Sequence, residues 1–443
     1  MALGGGTFTV QNKVLPGSYI NVVSTGNNVS TMGERGVVAL PIALHWGNPG
    51  ELITVTSEEF AKDSLKIFGY AYNAPELESI REVFKHAQKV HIYNLADDGG
   101  KAASVTLGDL TATAKKVGIR GNAMKIVLQQ NIDDTTMGDV SIYMGDILVF
   151  SQTVQRASEL DENEWVSWSF PPMAGGDDLG ETSLIERTAG KTFTGGADGT
   201  TTPTSHQNVL NAFESRNFNI LVCPNAEWVN LYVAYTKRMR EEMGVKFQTL
   251  VPANVSADYE GVVQMVAEQA NGIYWVAGAL AGCAENASCT NKSYDGELTI
   301  NTKYTRVELE GLIKNGVFAF HDVEGDTRVL IDINSLVTYT TEKNESFSGN
   351  QVVRVADGCS MDAARIFNNQ FLGKIQNDAS GRVSLWNAIL TNRRERETVR
   401  AIDLYDSGLL KVTPGEKRNS VVVTEEIVPI SSMEKVYLTT VIK

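Results

Sequence analysis

The sequence of 443 residues has few cysteines and lacks the short motifs that mark common catalytic sites. Its cysteines are Cys223, Cys283, Cys289 and Cys359, and none of them belongs to a CxxC pair. We therefore expect free thiols rather than a disulfide framework or a zinc site. No GxSxG, HExxH or dinucleotide-type GxGxxG motif is present, so the sequence gives no support for a catalytic residue, a cofactor or a bound metal.

Long apolar runs and an excess of positive charge are also missing. No stretch of about 18 or more uncharged apolar residues occurs, and the first residues lack the basic and apolar regions of a signal peptide. We expect neither a membrane-inserted segment nor an export signal. The net charge of −14 argues against nucleic acid or an anionic membrane as partners. Hydrophobic residues nevertheless make up 42% of the chain, which is ordinary for a protein with a packed core.

Two stretches of alternating strand and helix patterns flank a β-rich module. In the first stretch, residues 36–44 form an apolar strand candidate, and Thr56 with Glu59 forms a capping box at the start of a helix. In the module, short strand patterns are separated by Gly and Asp turns, and Gly145-Asp146 predicts a two-residue hairpin. The two flanking stretches therefore read as halves of one α/β domain.

These patterns predict a multidomain α/β (α+β) fold. Helices are expected in the last domain over residues 362–375 and 383–400. The predicted segments are an N-terminal arm (residues 1–23), a middle α/β domain (residues 24–97 and 190–345), an inserted β-rich domain (residues 98–189), a C-terminal α+β domain (residues 346–430) and a C-terminal arm (residues 431–443).

Two polar segments resemble binding motifs, and both are better explained as connections. Residues 189–192 match the end of a phosphate loop, but the first glycine of that motif is replaced by Ile185. We expect a loop there, within a Gly-, Thr- and Asp-rich stretch. His321, Asp322, Glu324 and Asp326 are better read as a polar junction between a strand and a turn than as metal ligands, because alternate strand residues face opposite ways.

Both chain ends have strand-like patterns where fraying is expected. The last residues alternate with period 2 and stay apolar almost to the final position, which predicts strands over residues 421–423 and 433–443. Such arms are suited to adding strands to another copy of the chain. The candidate pairing residues are Thr7, Phe8, Val10, Tyr19, Val436, Leu438, Thr440 and Ile442.

A basic cluster lies on the last predicted helix. Arg393, Arg396 and Arg400 have the spacing i, i+3 and i+7, which places them on one helix face. The face is either solvated or a docking surface for an acidic partner.

Several segments resemble the contractile tail sheath proteins of bacteriophages and of phage-tail-like bacteriocins. They include MALGGGTF at residues 1–8, KVLPGSYIN at 13–21, RGVVALP at 35–41 and GRVSLWN at 381–387. Further matches are KSYDGE at residues 292–297, DINSL at 332–336, SVVVT at 420–424 and MEKVY at 433–437. The resemblance covers nearly the whole length and is weakest across the β-rich module.

The resemblance implies a structural subunit rather than an enzyme, with no cofactor. By this resemblance the β-rich module is an outer domain, and an inner C-terminal domain carries both arms. Copies polymerise by strand exchange into a helical sheath around a tail tube, and the sheath contracts to drive the tube through a cell envelope. The implied partners are the tube, baseplate and tail terminator proteins, and Arg393, Arg396 and Arg400 are the candidate tube contact.

The resemblance also implies assembly in the bacterial cytoplasm and release within a virion tail or an extracellular bacteriocin particle. From the residues alone, two other classes stay open. One is an α/β enzyme of unknown reaction, and the other is a non-contractile surface-array or capsid-like protein.

Overall fold

The computed structural model describes residues 32–108, 110–169, 188–253 and 255–442. The predicted N-terminal arm residues Thr7, Phe8, Val10 and Tyr19 lie outside this part of the chain. The chain divides into two compact units. The described part of the larger unit comprises residues 34–358 and 429–442, and that of the smaller unit comprises residues 32–33 and 359–428.

The helices, in chain order, are α1 (Ser57–Phe68), α2 (Glu78–Phe84), α3 (Pro203–Phe213), α4 (Val229–Glu241), α5 (Ile273–Gly282), α6 (Arg306–Lys314), α7 (Asn350–Ile366) and α8 (Ala379–Thr398). The strands of the larger unit are β1 (Val37–Ile42), β2 (Leu52–Thr56), β3 (Lys89–Asn94), β4 (Ser104–Leu107), β5 (Leu110–Ala114), β6 (Met124–Gln130), β7 (Gly138–Met144), β8 (Ile147–Val154), β9 (Val166–Ser169), β10 (Thr188–Thr192), β11 (Ile220–Val222), β12 (Gln248–Val251), β13 (Val262–Met265), β14 (Val317–Phe318), β15 (Phe320–Val323) and β16 (Asp326–Val329). Those of the smaller unit are β17 (Lys411–Pro414) and β18 (Val421–Thr424).

A seven-stranded sheet in the order β14-β13-β12-β11-β1-β3-β2 is the centre of the larger unit. All neighbours are parallel except β2, which runs antiparallel to β3 at one edge. Along β1, Val38 and Leu40 join the core beneath α1, α2 and α5, whereas Ala39 joins the core beneath α3 and α4. Because helices cover both faces, the strand is apolar throughout rather than alternating. The predicted α/β (α+β) fold class is confirmed.

The helix α5 has no counterpart in the sequence prediction. Its ten residues are apolar around the whole circumference, so they show no amphipathic period, and most of them are buried in the core. Gly278 and Gly282 let it approach the end of α2 closely. A Cβ atom at either position would collide with a carbonyl oxygen, that of Val83 or that of His86.

The β-rich module contains two small antiparallel sheets, β10-β6-β7-β8 and β4-β5-β9, around one apolar core. The two-residue connection Gly145-Asp146 joins β7 to β8 as predicted, with φ of 62° at Gly145. The prediction of a loop over residues 189–192 is wrong. These residues belong to β10, where Lys191 pairs with Ile126 of β6, and their backbone amides are therefore not gathered around a phosphate site.

Other sequence predictions are confirmed or corrected locally. The capping box at α1 is present, since the amide of Glu59 donates to the Thr56 hydroxyl and the Thr56 amide donates to the Glu59 carboxylate. His321 and Asp326 lie in the β15–β16 hairpin, so a polar hairpin is the correct interpretation. The helix predicted over residues 362–375 is wrong in its bounds. The observed helix α7 begins earlier, at Asn350, and ends at Ile366. A π-helical turn, Phe367–Phe371, follows it.

Candidate assembly site

The hairpin β17–β18 is an isolated two-stranded sheet. Val412 pairs with Val423, and the amide of Gly415 donates to the carbonyl of Ser420 to close the turn. Neither outer edge has a neighbouring strand among the residues described. Val422 and Val423 expose 48% and 37% of their surface. Because a lone two-stranded hairpin is marginally stable and its edges hold unpaired backbone groups, this hairpin can accept further strands.

Apolar side chains continue from the hairpin into a neighbouring groove of the smaller unit. The groove has a volume of about 290 Å³, and its apolar lining includes Phe367, Phe371 and Val421. Leu372 and Val383 are more than half exposed in the same unit. Exposed apolar side chains beside an apolar groove make this part of the unit a candidate interaction surface.

The arginine cluster of α8 is not a surface face. Arg393 and Arg396 are fully buried, so the prediction that they form a solvated or partner-facing surface is wrong. Arg393 makes a two-pronged contact with Glu425, with Nε and Nη2 at 2.8 and 2.7 Å from the two carboxylate oxygens. Arg396 donates from Nη2 to Asp362 at 2.8 Å. The i, i+3 spacing does place both arginines on one helix face, but that face points into the smaller unit.

The electrostatics of this buried network follow from these contacts. Burial by itself would raise the pKa of Glu425, but the hydrogen bond and charge of Arg393 outweigh it and lower that pKa. The Tyr405 hydroxyl also donates to Glu425, at 2.8 Å. The network links α8 to α7 through Asp362 and to the segment directly after β18 through Glu425.

Arg400 lies beyond the end of α8 and differs from the other two arginines. It has a φ of 62° and an exposed side chain. Of the three residues predicted to contact a tail tube, it is the one that remains accessible.

The C-terminal arm has the predicted composition but forms no strand within this chain. Over residues 431–442 the described backbone contains neither helix nor strand. Val436, Leu438 and Ile442 are 89, 83 and 93% exposed, and Thr440 is exposed as well. Leaving three large apolar side chains in water forgoes about 1.5–3 kcal/mol each of burial energy. Pairing of these residues with another copy stays a prediction.

The base of the arm is fixed to the larger unit by polar contacts. The amide and hydroxyl of Ser432 both donate to the Gln351 side-chain oxygen at 3.0 Å. The Thr290 hydroxyl donates to Glu434 at 2.8 Å. These residues, which we call the arm root, hold the start of the arm while the alternating residues beyond it project into solvent.

Among the described residues, no helix is long and apolar enough to cross a bilayer.

Profiles of four tail sheath domains match consecutive parts of the chain. Residues 35–95 match the tail sheath protein Gp18 domain III N-terminal region, and residues 97–198 match the phage tail sheath protein beta-sandwich domain. Residues 199–335 match the phage tail sheath protein central domain, and residues 342–443 match the phage tail sheath C-terminal domain.

Individual relatives agree with these matches. The phage-like element PBSX protein XkdK of Bacillus subtilis is 33% identical over 82% of this chain and 82% of its own length. A crystal structure of a sheath tail protein from Desulfitobacterium hafniense is 32% identical, covers 95% of this chain and 99% of its own, and superposes with a TM-score of 0.79. The contracted helical sheath of the anti-feeding prophage shares the fold at 10% identity, with a TM-score of 0.54 over 97% of this chain and 99% of its own.

The fold and the domain matches define a structural subunit of a tail sheath. The chain belongs to the phage tail sheath family. The predicted family, the fold class and the expectation of a structural protein rather than an enzyme are confirmed.

Sequence reasoning missed the groove beside β17–β18 and the arm root. Both depend on residues distant in sequence, such as Thr290 with Glu434. No local pattern connects such residues.

Proposed function

We propose that copies of this chain polymerise into a helical, contractile sheath around a tail tube, and that the C-terminal arm of one copy adds a strand to the β17–β18 hairpin of another. The proposal is supported by two features of the chain that complement each other. One is a strand-like arm, residues 431–442, whose apolar side chains are exposed. The other is a two-stranded sheet with free edges. Strand addition of this type satisfies backbone groups on both sides.

The energetics favour a lattice over a pair of subunits. Ordering about ten arm residues costs roughly 10–20 kcal/mol of backbone entropy. About eight new hydrogen bonds at ~1 kcal/mol each, and about four buried side chains at ~2 kcal/mol each, return a similar amount. One arm is therefore close to neutral. Several links per subunit, formed together, shift the balance towards the polymer.

Interfaces between different surfaces of identical subunits generate rings when the rotation between copies closes and open helical assemblies when it does not. The shared fold of the anti-feeding prophage sheath, which is helical and contracted, supports this arrangement. The work of contraction would come from interfaces gained between subunits, with the arms acting as hinges that stay connected. No nucleotide enters the mechanism.

We further propose a tail tube protein, baseplate proteins and a tail terminator as partners, with assembly in the bacterial cytoplasm and release in a virion tail or bacteriocin particle. Arg400 is retained as a candidate tube contact, because its side chain is exposed in an acidic protein. Reversal of this charge (Arg400→Glu) should weaken assembly on tubes while leaving sheath-only polymers intact. Unchanged assembly on tubes would contradict the contact.

Negative-stain imaging of the purified protein tests the polymer directly. We expect hollow helical tubes from the full chain and dispersed, folded monomers after deletion of residues 431–443. Planar lattices from the full chain would favour a surface-array protein, and tubes formed by the deletion variant would contradict strand exchange.

A matched pair of point variants sharpens this test. Leu438 and Thr439 are adjacent in the arm, and adjacent strand residues face opposite sides. Leu438→Asp places a charge on the apolar side and should abolish tubes, whereas Thr439→Asp places the same charge on the other side and should permit them. Equal effects of the two substitutions would argue against pairing of the arm as a β-strand.

A further inference from the structure

Two cysteines meet beside the arm root. The Sγ atoms of Cys283 and Cys289 and a carboxylate oxygen of Asp332 all lie within 4.8 Å of one another. Cys283 caps the C-terminal end of α5, and the segment between the two cysteines has no helix or strand. Cys283 is partly exposed, whereas Cys289 is buried. The pair therefore has one sulfur that reagents can reach and a second sulfur directly behind it.

Two arginines and the Asp332 carboxylate lie near the accessible sulfur. The Arg35 guanidinium donates to the carbonyl oxygen of Cys283 at 2.9 Å and to that of Leu280 at 3.2 Å. Arg354 is buried and donates to Asp332 at 3.1 Å. The neighbouring Cys289 thiol, aided by the charges of Arg354 and Arg35, lowers the pKa of Cys283 to about 7 against the effect of burial. A thiol with such a pKa is substantially ionised at neutral pH, and the thiolate is the reactive form.

A metal ion fits this cluster poorly. The Asp332 oxygens are already used, because Oδ1 accepts from Asn350 at 2.8 Å and Oδ2 accepts from the Cys289 amide at 2.9 Å and from Arg354. Two guanidinium groups nearby also oppose a divalent cation, since like charges repel strongly at partly buried sites. The same charges favour a thiolate.

We propose that Cys283 and Cys289 form a redox-active dithiol that a peroxide converts into an intramolecular disulfide. The Cys283 thiolate attacks a peroxide oxygen and becomes a sulfenic acid, releasing water once a proton is taken up. The Cys289 sulfur then attacks the sulfenic sulfur, forming the S–S bond and releasing a second water. Overall, two thiols and one hydrogen peroxide give one disulfide and two water molecules, with the two sulfurs oxidised and the peroxide reduced.

The position of the pair gives this chemistry a structural consequence. Thr290, next to Cys289, donates to Glu434 of the arm and accepts from the Asp332 amide at 3.0 Å. The sulfurs must approach to about 2.05 Å in a disulfide, so oxidation shortens the loop that ends at the arm root.

The test uses the full-length protein, treated with hydrogen peroxide and then blocked with iodoacetamide under denaturing conditions. We expect two of the four thiols to be lost and full recovery with dithiothreitol, and before blocking the chain should weigh about 2 Da less than the reduced chain. Glu285 lies between the two cysteines, so a glutamate-specific protease separates them. The resulting peptides should stay joined until reduction.

The remaining cysteines provide the control. Cys223 and Cys359 are buried, and burial raises the pKa of Cys223 to about 12. Cys223→Ser should still lose two thiols, whereas Cys283→Ser and Cys289→Ser should form no linked peptides. Cys283 should also react with iodoacetamide at pH 7 at least about tenfold faster than Cys223. Four intact thiols after peroxide, linkage through Cys223 or Cys359, or one tightly held zinc ion lost in Cys283→Ser would overturn the proposal.

Discussion

The two units of this protein differ in how their β-sheets are covered. In the larger unit, apolar strands such as β1 lie between helices on both faces, and its cores consist of aliphatic and aromatic side chains. In the smaller unit, Arg393 and Arg396 are fully buried while Val383 and Val422 are about half exposed. Both units bury charge, since Arg354 of the larger unit is buried as well. The central sheet of the larger unit is covered by its own helices, whereas the β17–β18 hairpin of the smaller unit has exposed apolar side chains.

Loss of a buried charge in the smaller unit should have the largest effect. Arg396→Ala removes one guanidinium partner of the buried Asp362 and leaves that of Arg365, and breaking a buried pair costs up to about 3–5 kcal/mol. In calorimetry, the transition of the smaller unit should move to much lower temperature. The exposed Arg394 is the matched control, and Arg394→Ala should cost less than about 1 kcal/mol. Similar losses from both variants would show that the interior of the smaller unit does not depend on buried charge.

Close helix packing in the larger unit gives the next effect. Gly278→Ala forces a Cβ atom against the carbonyl oxygen of Val83, and overpacking of this kind costs about 1–3 kcal/mol. The free energy of unfolding from urea titration measures the change. Gly311, within α6, faces open space, so Gly311→Ala should be neutral or stabilising by up to ~1 kcal/mol. A tolerated Gly278→Ala would mean that α2 and α5 can separate at little cost.

The arm root should be worth less, because it rests on single polar contacts. Thr290→Val removes the hydroxyl that donates to Glu434 and accepts from the Asp332 amide, and each lost bond should cost about 0.5–1.5 kcal/mol. We expect faster hydrogen exchange at residues 432–435 in the monomer and fewer or shorter tubes. Thr302→Val, on an exposed loop elsewhere in the larger unit, is the control. Equal exchange in wild type and Thr290→Val would show that this contact does not hold the arm.

The change in stability of the smaller unit with pH should be the smallest of these effects, because the Glu425 side chain is 22% exposed and water screens its charge. Because Arg393 lowers the pKa of Glu425 below its usual value, the folded state binds the proton more weakly than the unfolded chain. The stabilisation is complete above pH ~4.5 and disappears as the pH falls through the lowered pKa. Glu425→Gln should flatten the melting temperature of this unit across that acidic range. The exposed neighbour variant Glu426→Gln should keep the wild-type slope, and a wild-type slope in Glu425→Gln would contradict the assignment.

Regular local signals in the sequence predicted much of the fold. The capping box at Thr56, the Gly145-Asp146 hairpin and the alternation of strands and helices all depend on residues close in sequence, where propensity and spacing act directly. The helix α5 was missed because a helix buried on all sides has no polar face. The error on Arg393 and Arg396 has a related cause. A charged residue is normally exposed, and its burial depends on Glu425 and Asp362, whose positions the helical spacing cannot reveal.

The C-terminal arm also shows what a local sequence pattern can and cannot predict. Its period-2 pattern is correct for a strand, yet Leu438 and its neighbours form none within one chain. The period-2 pattern predicts that a segment can form a strand, but it does not identify the strand with which that segment pairs.

Hydrogen exchange at residues 436–442, beyond the arm root, measured in the monomer and in the assembled tube, tests strand exchange most directly. The monomer should exchange these amides at nearly the rate of an unstructured chain, because none of them pairs with another strand within the described part of the chain. In the tube, alternate amides should be protected by pairing with the β17–β18 hairpin of another copy. Protection already present in the monomer, or full exchange within intact tubes, would contradict the account.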